Sequence, residues 1–234
     1  MSLNFSQITA LIDDTVNTND TTYPLADKAR DVNIALDRVL ALIFQVGGTW
    51  QFDDSNHTDY PIITTNLVSG QRDYSFVSDE NGNLILEVQR VFCADPAGIF
   101  HEIYPVDVPN GANRNYTSGQ NITGTPTTYD KNATGIFLDA IPSYNSTNGL
   151  KVYVNREGSY FTAGDTTKKP GFAGLFHEYL VLHTAYKYAV RKGLAKANQL
   201  KGDMLEMEND LIDYYEYREK DTKTSIIPVS RSAK

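Results

Sequence analysis

PGFAGLFHEYLVLHTAYKYAVRKGLAKANQLKGDMLEMENDLIDYYEYREKD, residues 170–221, reads as two successive helices, the second unusually acidic. In the first, Phe172, Phe176, Tyr179, His183, Tyr186 and Val190 share a face that Leu175, Leu182 and Ala189 widen. A helix apolar over most of its circumference belongs in the middle of a group of helices. Gly193 then separates it from a helix with Ala197, Leu200, Met204, Met207, Leu211 and Tyr214 at heptad spacing, and Asp203, Glu206, Asp210 and Asp213 off that seam. One side packs while the other carries negative charge.

Such a pair needs a further partner, and the N-terminal part of the chain supplies one. TYPLADKARDVNIALDRVLALIFQVGG, residues 22–48, offers Thr22 or Asp27 as a cap, Pro24 near the first turn, and Gly47-Gly48 as a stop. Leu25, Ala29, Val32, Leu36, Val39 and Ile43 alternate in steps of four and three. About 22 residues at ~1.5 Å each make a rod of roughly 33 Å, matching the acidic helix in length. Residues 3–13, with Leu3, Ile8, Leu11 and Ile12, read as a short helix before a polar spacer.

Between these ends the period changes to two. DYPIITTNLV, RDYSFV, LILEVQRVFC, IFHEIYPVD, TGIFLDA and LKVYVNREG are strand-like and are punctuated by Ser69-Gly70, Asn81-Gly82, Gly98 and Asn148-Gly149. Six strands are expected, with a long Asn/Gly-rich loop between the fourth and fifth. In the last of them Leu150, Val152 and Val154 point one way while Lys151, Tyr153 and Asn155 point the other, the pattern of a sheet wet on one face. The fold class is therefore α+β: an antiparallel helical bundle from the N- and C-terminal segments, residues 1–49 and 166–221, with an inserted antiparallel β-sandwich or small barrel, residues 50–165. Residues 222–234 form an extended tail. There Ile226, Ile227, Pro228 and Val229 make a small apolar plug among Lys223, Arg231 and Lys234, suited to a partner's groove.

Composition narrows the function. The 234 residues carry a net charge of −8, which disfavours a tight grip on a phosphate backbone but suits a wall past which DNA slides. The single cysteine, Cys93, sits in a strand pattern and reads as a buried small hydrophobe. No basic, apolar leader and no run of membrane-spanning length is seen, so a cytosol-like compartment is expected and the Asn-X-Ser/Thr sites read as polar loops.

The chemical motifs are weak. His177 and His183 are six residues apart, which sets them about 120° from each other around a helix where a shared metal needs one face, so they read as core or interface histidines. DDSNHTD, residues 53–59, lacks the glycine and the closing glutamate of a calcium loop. No nucleophile elbow, phosphate loop or dinucleotide fingerprint appears, and no catalytic residue, cofactor or metal is assigned. The 15 tyrosines favour surfaces that are half packed and half wet, and Tyr214, Tyr215 and Tyr217 exceed what one core face absorbs, which points to a subunit interface.

Four segments together resemble the head-to-tail adaptor, or tail accessory factor, of tailed bacteriophages: YPLADKARDVNIALDRVLALI, GTWQFDDSNHTDYPI, GLKVYVNREGSYF and KKPGFAGLFHEYLVLHTAYKYAVRKGLAKA. The likeness spans roughly residues 22–220. It implies a homo-oligomeric ring, commonly a dodecamer, in the neck of the virion, made in the host cytoplasm, docked on the portal protein and meeting the next tail or nozzle protein. DNA would pass through without specific binding, and no membrane is involved. On that likeness Ile226, Ile227, Pro228, Val229 and Arg231 are the portal-docking tail, and Asp203, Glu206, Asp210 and Asp213 face the channel or a neighbour. Net charge alone predicts that salt assists assembly, by screening repulsion between copies. The alternative reading is a carbohydrate- or fibre-binding β-module on a helical stalk, and a third is a cell-wall glycan hydrolase using Asp/Glu pairs.

Overall fold

A computed structural model describes residues 2–46, 62–78, 82, 84–106, 122–132 and 135–218. Within them the chain is mixed α+β. Its helices are α1 (Phe5–Val16), α2 (Leu25–Val46), α3 (Glu178–Lys192) and α4 (Ala197–Arg218), with a 3-10 turn at Gly174–Phe176. Its strands are β1 (Ile62–Leu67), β2 (Asp73–Ser75), β3 (Ile85–Ala94), β4 (Phe100–Pro105), β5 (Thr128–Asn132), β6 (Gly135–Leu138) and β7 (Ser146–Arg156). The tail residues 226–231, Trp50 and the 53–59 run lie outside the described residues.

α1 starts in a capping box, with Asn4 and Gln7 exchanging side-chain-to-backbone hydrogen bonds. The seam of α2 is buried as its spacing predicts: Ala29, Val32, Leu36, Val39 and Ile43 are all at most 4% exposed. Thr22 belongs instead to the preceding turn, bonded to Asn19, and Asp27 sits in the first helical turn paired with Arg30. α3 packs against α1, α2 and α4, and these helices share one apolar cluster drawn from both ends of the chain.

The expected face of α3 is rotated. Phe172, Phe176, Tyr179 and Ala189 are buried as expected, but Leu175 and Val190 are exposed, and Leu180, Val181, Thr184 and Ala185 are buried in their place. The helix begins only at Glu178, so the periodicity counted from Phe172 runs through a tighter 3-10 turn and loses phase. Gly193 closes α3 at φ 64°, the left-handed conformation that glycine adopts without a side-chain clash.

The strands form one sheet in the order β1-β7-β3-β4-β5-β6-β2. Ile63, Val152, Val91 and Ile103 align across β1, β7, β3 and β4 as a row of the inner face. The two edge strands are consecutive in sequence and joined only by residues 68–72, which reach about 22 Å when fully extended. Seven strands laid flat would span about 29 Å. The sheet must therefore curl, and it forms a half-barrel around its own apolar cluster. The link is pinned at both ends: the Arg72 guanidinium donates to the carbonyls of Leu138 (2.8 Å) and Asp139 (2.9 Å) at the end of β6, the neighbour of β2, and the Val68 N–H after β1 donates to the Tyr74 hydroxyl of β2 (3.0 Å).

This corrects the expectation of a purely antiparallel sandwich or barrel: among the described residues there is one sheet, its edge strands β1 and β2 do not pair with each other, and β4 and β5 run parallel. The unexpected strand is β5, TYDKN, which buries Tyr129 deeply. Asn155, expected to face solvent, is 5% exposed and bonds Glu87 across a register shift between β3 and β7. The change from sheet to helices comes earlier than residue 165. Gly158 already lies against Leu36 and Leu40, and Phe161 is part of the helical cluster. Cys93 is buried on β3, and burial pushes its thiol up to about 11.

Candidate functional site

Two ion-pair clusters tie α2 to the helices at the other end of the chain. In one, buried Asp31 accepts from the Tyr23 hydroxyl at 2.6 Å and from Arg191 Nη2 at 2.5 Å. In the other, buried Glu208 accepts from Arg38 Nε at 3.0 Å, from Arg38 Nη2, and from the Tyr179 hydroxyl at 3.4 Å. The same trio, a tyrosine, a carboxylate and a half-exposed arginine, thus occurs at the α2–α3 and α2–α4 contacts. Burial and the adjacent carboxylates raise both tyrosine hydroxyls, so they stay protonated donors. A third cluster locks α1 to α2: fully buried Lys28 donates to Asp13 at 2.6 Å and Asp20 at 2.8 Å.

The histidines are not brought together on a metal. His177 is fully buried, with Nε2 3.0 Å from the Phe172 carbonyl and Nδ1 2.9 Å from the Leu3 N–H, so it ties the N-terminal segment to the 3-10 turn. His183 lies between the two carboxylate clusters. Among the described residues no group of three or more His, Cys, Asp or Glu side chains could hold a metal ion, and no helix is long and apolar enough to cross a membrane.

Burial first, then Lys187 beside it, holds the His183 imidazole down to about 4 from its ordinary 6.5. Glu208 and Asp31 act in the opposite sense, and Arg38 adds to the lowering. Since the folded chain keeps this ring neutral where the unfolded chain protonates it, its stability contribution is complete above pH 6.5 and is lost progressively as pH falls towards 4. The expected loss is on the order of 2 kcal/mol. Urea melts of wild type and His183→Gln at pH 7 and pH 4.5 check this: the variant should lose less stability on acidification, and parallel curves would contradict it.

The predicted acidic residues lie where the heptad placed them. Asp203, Glu206, Asp210 and Asp213 are all exposed on α4, and among the described residues none of them has an ion-pair partner. Steps of three, four and three put them in one stripe. The tyrosines divide. Tyr215 is 1% exposed and its hydroxyl accepts the Ala173 N–H at 3.0 Å, so it is a core residue of its own chain rather than a subunit contact. Tyr214 sits at the margin against Phe176 and Tyr215, while Tyr217 is 70% exposed. The heptad reading assigned Tyr214 to the core in place of its neighbour, a shift of one residue near the helix end.

Sequence reasoning missed a groove of about 340 Å³ between α2 and α3, lined by Asp31, Tyr186, Lys187, Val190 and Arg191. The signal was there as a run free of acid: residues 187–202 hold five cations and no carboxylate. No protein-family model matches the chain, and no curated protein sequence matches it.

Proposed function

We propose that the chain is a non-enzymatic structural connector of a tailed-phage neck, forming a ring on the portal and leaving a channel for DNA. In this reading the helices of both ends act as an antiparallel bundle that packs against identical copies. The tail beyond α4 carries the portal-docking residues Ile226, Ile227, Pro228, Val229 and Arg231. The half-barrel faces the next tail component or the outside of the ring. The observation that carries the proposal is the exposed stripe Asp203, Glu206, Asp210 and Asp213, which has no ion-pair partner among the described residues and lies off a core that the two ends of the chain share. Such a stripe repels phosphate or seeks a cationic neighbour.

Mixing the full chain with the cognate portal and imaging the product by electron microscopy tests the reading, which predicts a ring. A persistent monomer without portal affinity removes it. More narrowly, deleting residues 222–234 should abolish docking with the thermal midpoint nearly unchanged. Undiminished docking by the shortened chain would contradict that assignment.

A second reading, recognition of carbohydrate or a fibre protein by the β-region, is favoured by the outer face of the sheet. Tyr104 is 62% exposed there, Phe92 lies against Tyr153, and Lys151 Nζ sits 3.8 Å from the Phe100 ring centroid. Glycan-array binding by the intact chain, lost in Tyr104→Ala, would support it over the connector.

A further inference from the structure

The charges of the α3–α4 hairpin are segregated. Lys187, Arg191, Lys192, Lys196 and Lys201 fall in a run without a carboxylate, and six carboxylates follow between residues 203 and 216 without a cation. In α3 the order suits the helix dipole, with Glu178 in the first turn and Arg191 and Lys192 in the last. In α4 it opposes the dipole: the first turn holds no acid, while Asp210, Asp213 and Glu216 approach the negative end. Neighbouring carboxylates along the stripe also repel one another. The arrangement works against the stability of the single chain and calls for a cation from outside it.

The same chain presents such a cation. Lys187 lines the α2–α3 groove and has no ion-pair partner among the described residues. Beside it are Arg191, whose side chain is 44% exposed despite its bond to Asp31, and Val190, which is 54% exposed. Ile34 on α2 is 41% exposed. An apolar centre flanked by cations suits the side of an acidic helix better than a polyanion, which would meet the remaining negative charge of the molecule.

We propose that the Asp203–Glu206–Asp210–Asp213 stripe of one copy seats on the Lys187–Val190–Arg191 face of a second copy. The inference rests on the ring reading above and names the contact that would build the ring. The two patches differ, so the contact is head-to-tail and propagates until it closes. Because each copy carries one stripe and one groove, every patch in a closed ring is matched. Net charge and local charge now make opposite salt predictions. Repulsion between whole molecules acts over distances beyond the Debye length of about 8 Å at physiological salt, whereas contacting side chains are screened less. The local term wins, and added salt should weaken the contact between copies.

The test is native mass spectrometry of the cognate portal titrated with full-length wild type, Lys187→Glu, Asp210→Lys and an equimolar mixture of the two variants. Neither residue has an ion-pair partner among the described residues, and matching thermal midpoints confirm that both variants fold. Wild type should fill portals all-or-none. Each variant alone should fill them independently, with coupling between neighbours at least tenfold weaker, and the mixture should restore all-or-none filling because each reversed patch meets its complement. Single variants as cooperative as wild type, or a mixture that restores nothing, overturn the pairing and leave the connector reading standing. Should wild type fail to bind the portal, the connector reading falls. Sedimentation of the free chain at low salt then decides the contact separately, and a wild type as monomeric as Lys187→Glu overturns it.

Discussion

Arg191→Met should lower the unfolding free energy by about 3 kcal/mol, the low end of the cost of stripping one partner from a buried ion pair. The acid left behind is Asp31, 3% exposed, whose bonded oxygen would keep only the Tyr23 hydroxyl. Arg30 lies 3.7 Å from the other oxygen, too far for a hydrogen bond. Methionine retains the aliphatic stem of Arg191, so the loss isolates the guanidinium. The value stays at the low end because that side chain is 44% exposed and water relaxes around it. Adding Asp31→Asn should recover most of the loss, since the amide oxygen still accepts from Tyr23 without a charge to bury. Urea denaturation of the two single variants and the double variant measures this. A loss below about 1 kcal/mol, as for an ordinary surface pair, would show that Asp31 is solvated after all.

Phe5→Ala should be costlier, about 3–5 kcal/mol, the range for removing a fully buried aromatic ring. Phe5 is 0% exposed and stacks on Phe161 with centroids 4.9 Å apart, and its N–H donates to the Lys168 carbonyl at 2.8 Å. It joins α1 to the segment that leads from the sheet into α3. Leu11→Ala on the same helix is the control: Leu11 is 39% exposed, and its loss should stay within about 0.5 kcal/mol. Equal effects from the two substitutions in thermal or urea melts would mean that α1 packs by another face.

That pair also shows how sequence and structure divide the information. Ile8 and Ile12 were legible as the apolar side of α1, with buried Leu3 just before it, but Leu11 was included with them and Phe5 was passed over. In a helix of 12 residues, periodicity alone leaves the orientation loose. In α2, with 22 residues, the seven-residue alternation identified five deeply buried positions correctly. The acidic stripe of α4 was legible for the same reason. Tyr215 was not, because adjacent tyrosines carry the same hydropathy and only the Ala173 N–H selects one of them for the core. The cations of the groove were legible as the acid-free run 187–202, but the groove itself was not, because it joins Asp31 to residues about 160 positions away and no local pattern marks that meeting.

By itself the sequence determined the class of the protein: helices at both ends, strands between, an acid-lined last helix and a buried Cys93. Those features follow from period and charge, which are local properties of the chain. Only the tertiary structure decided that the strands join in one curled, open sheet with a parallel step, that α3 turns Leu180 and Ala185 inward rather than Val190, and that Asp31 and Glu208 are buried against arginines. These depend on which distant surfaces meet, and the short 68–72 link and the two carboxylate clusters set that.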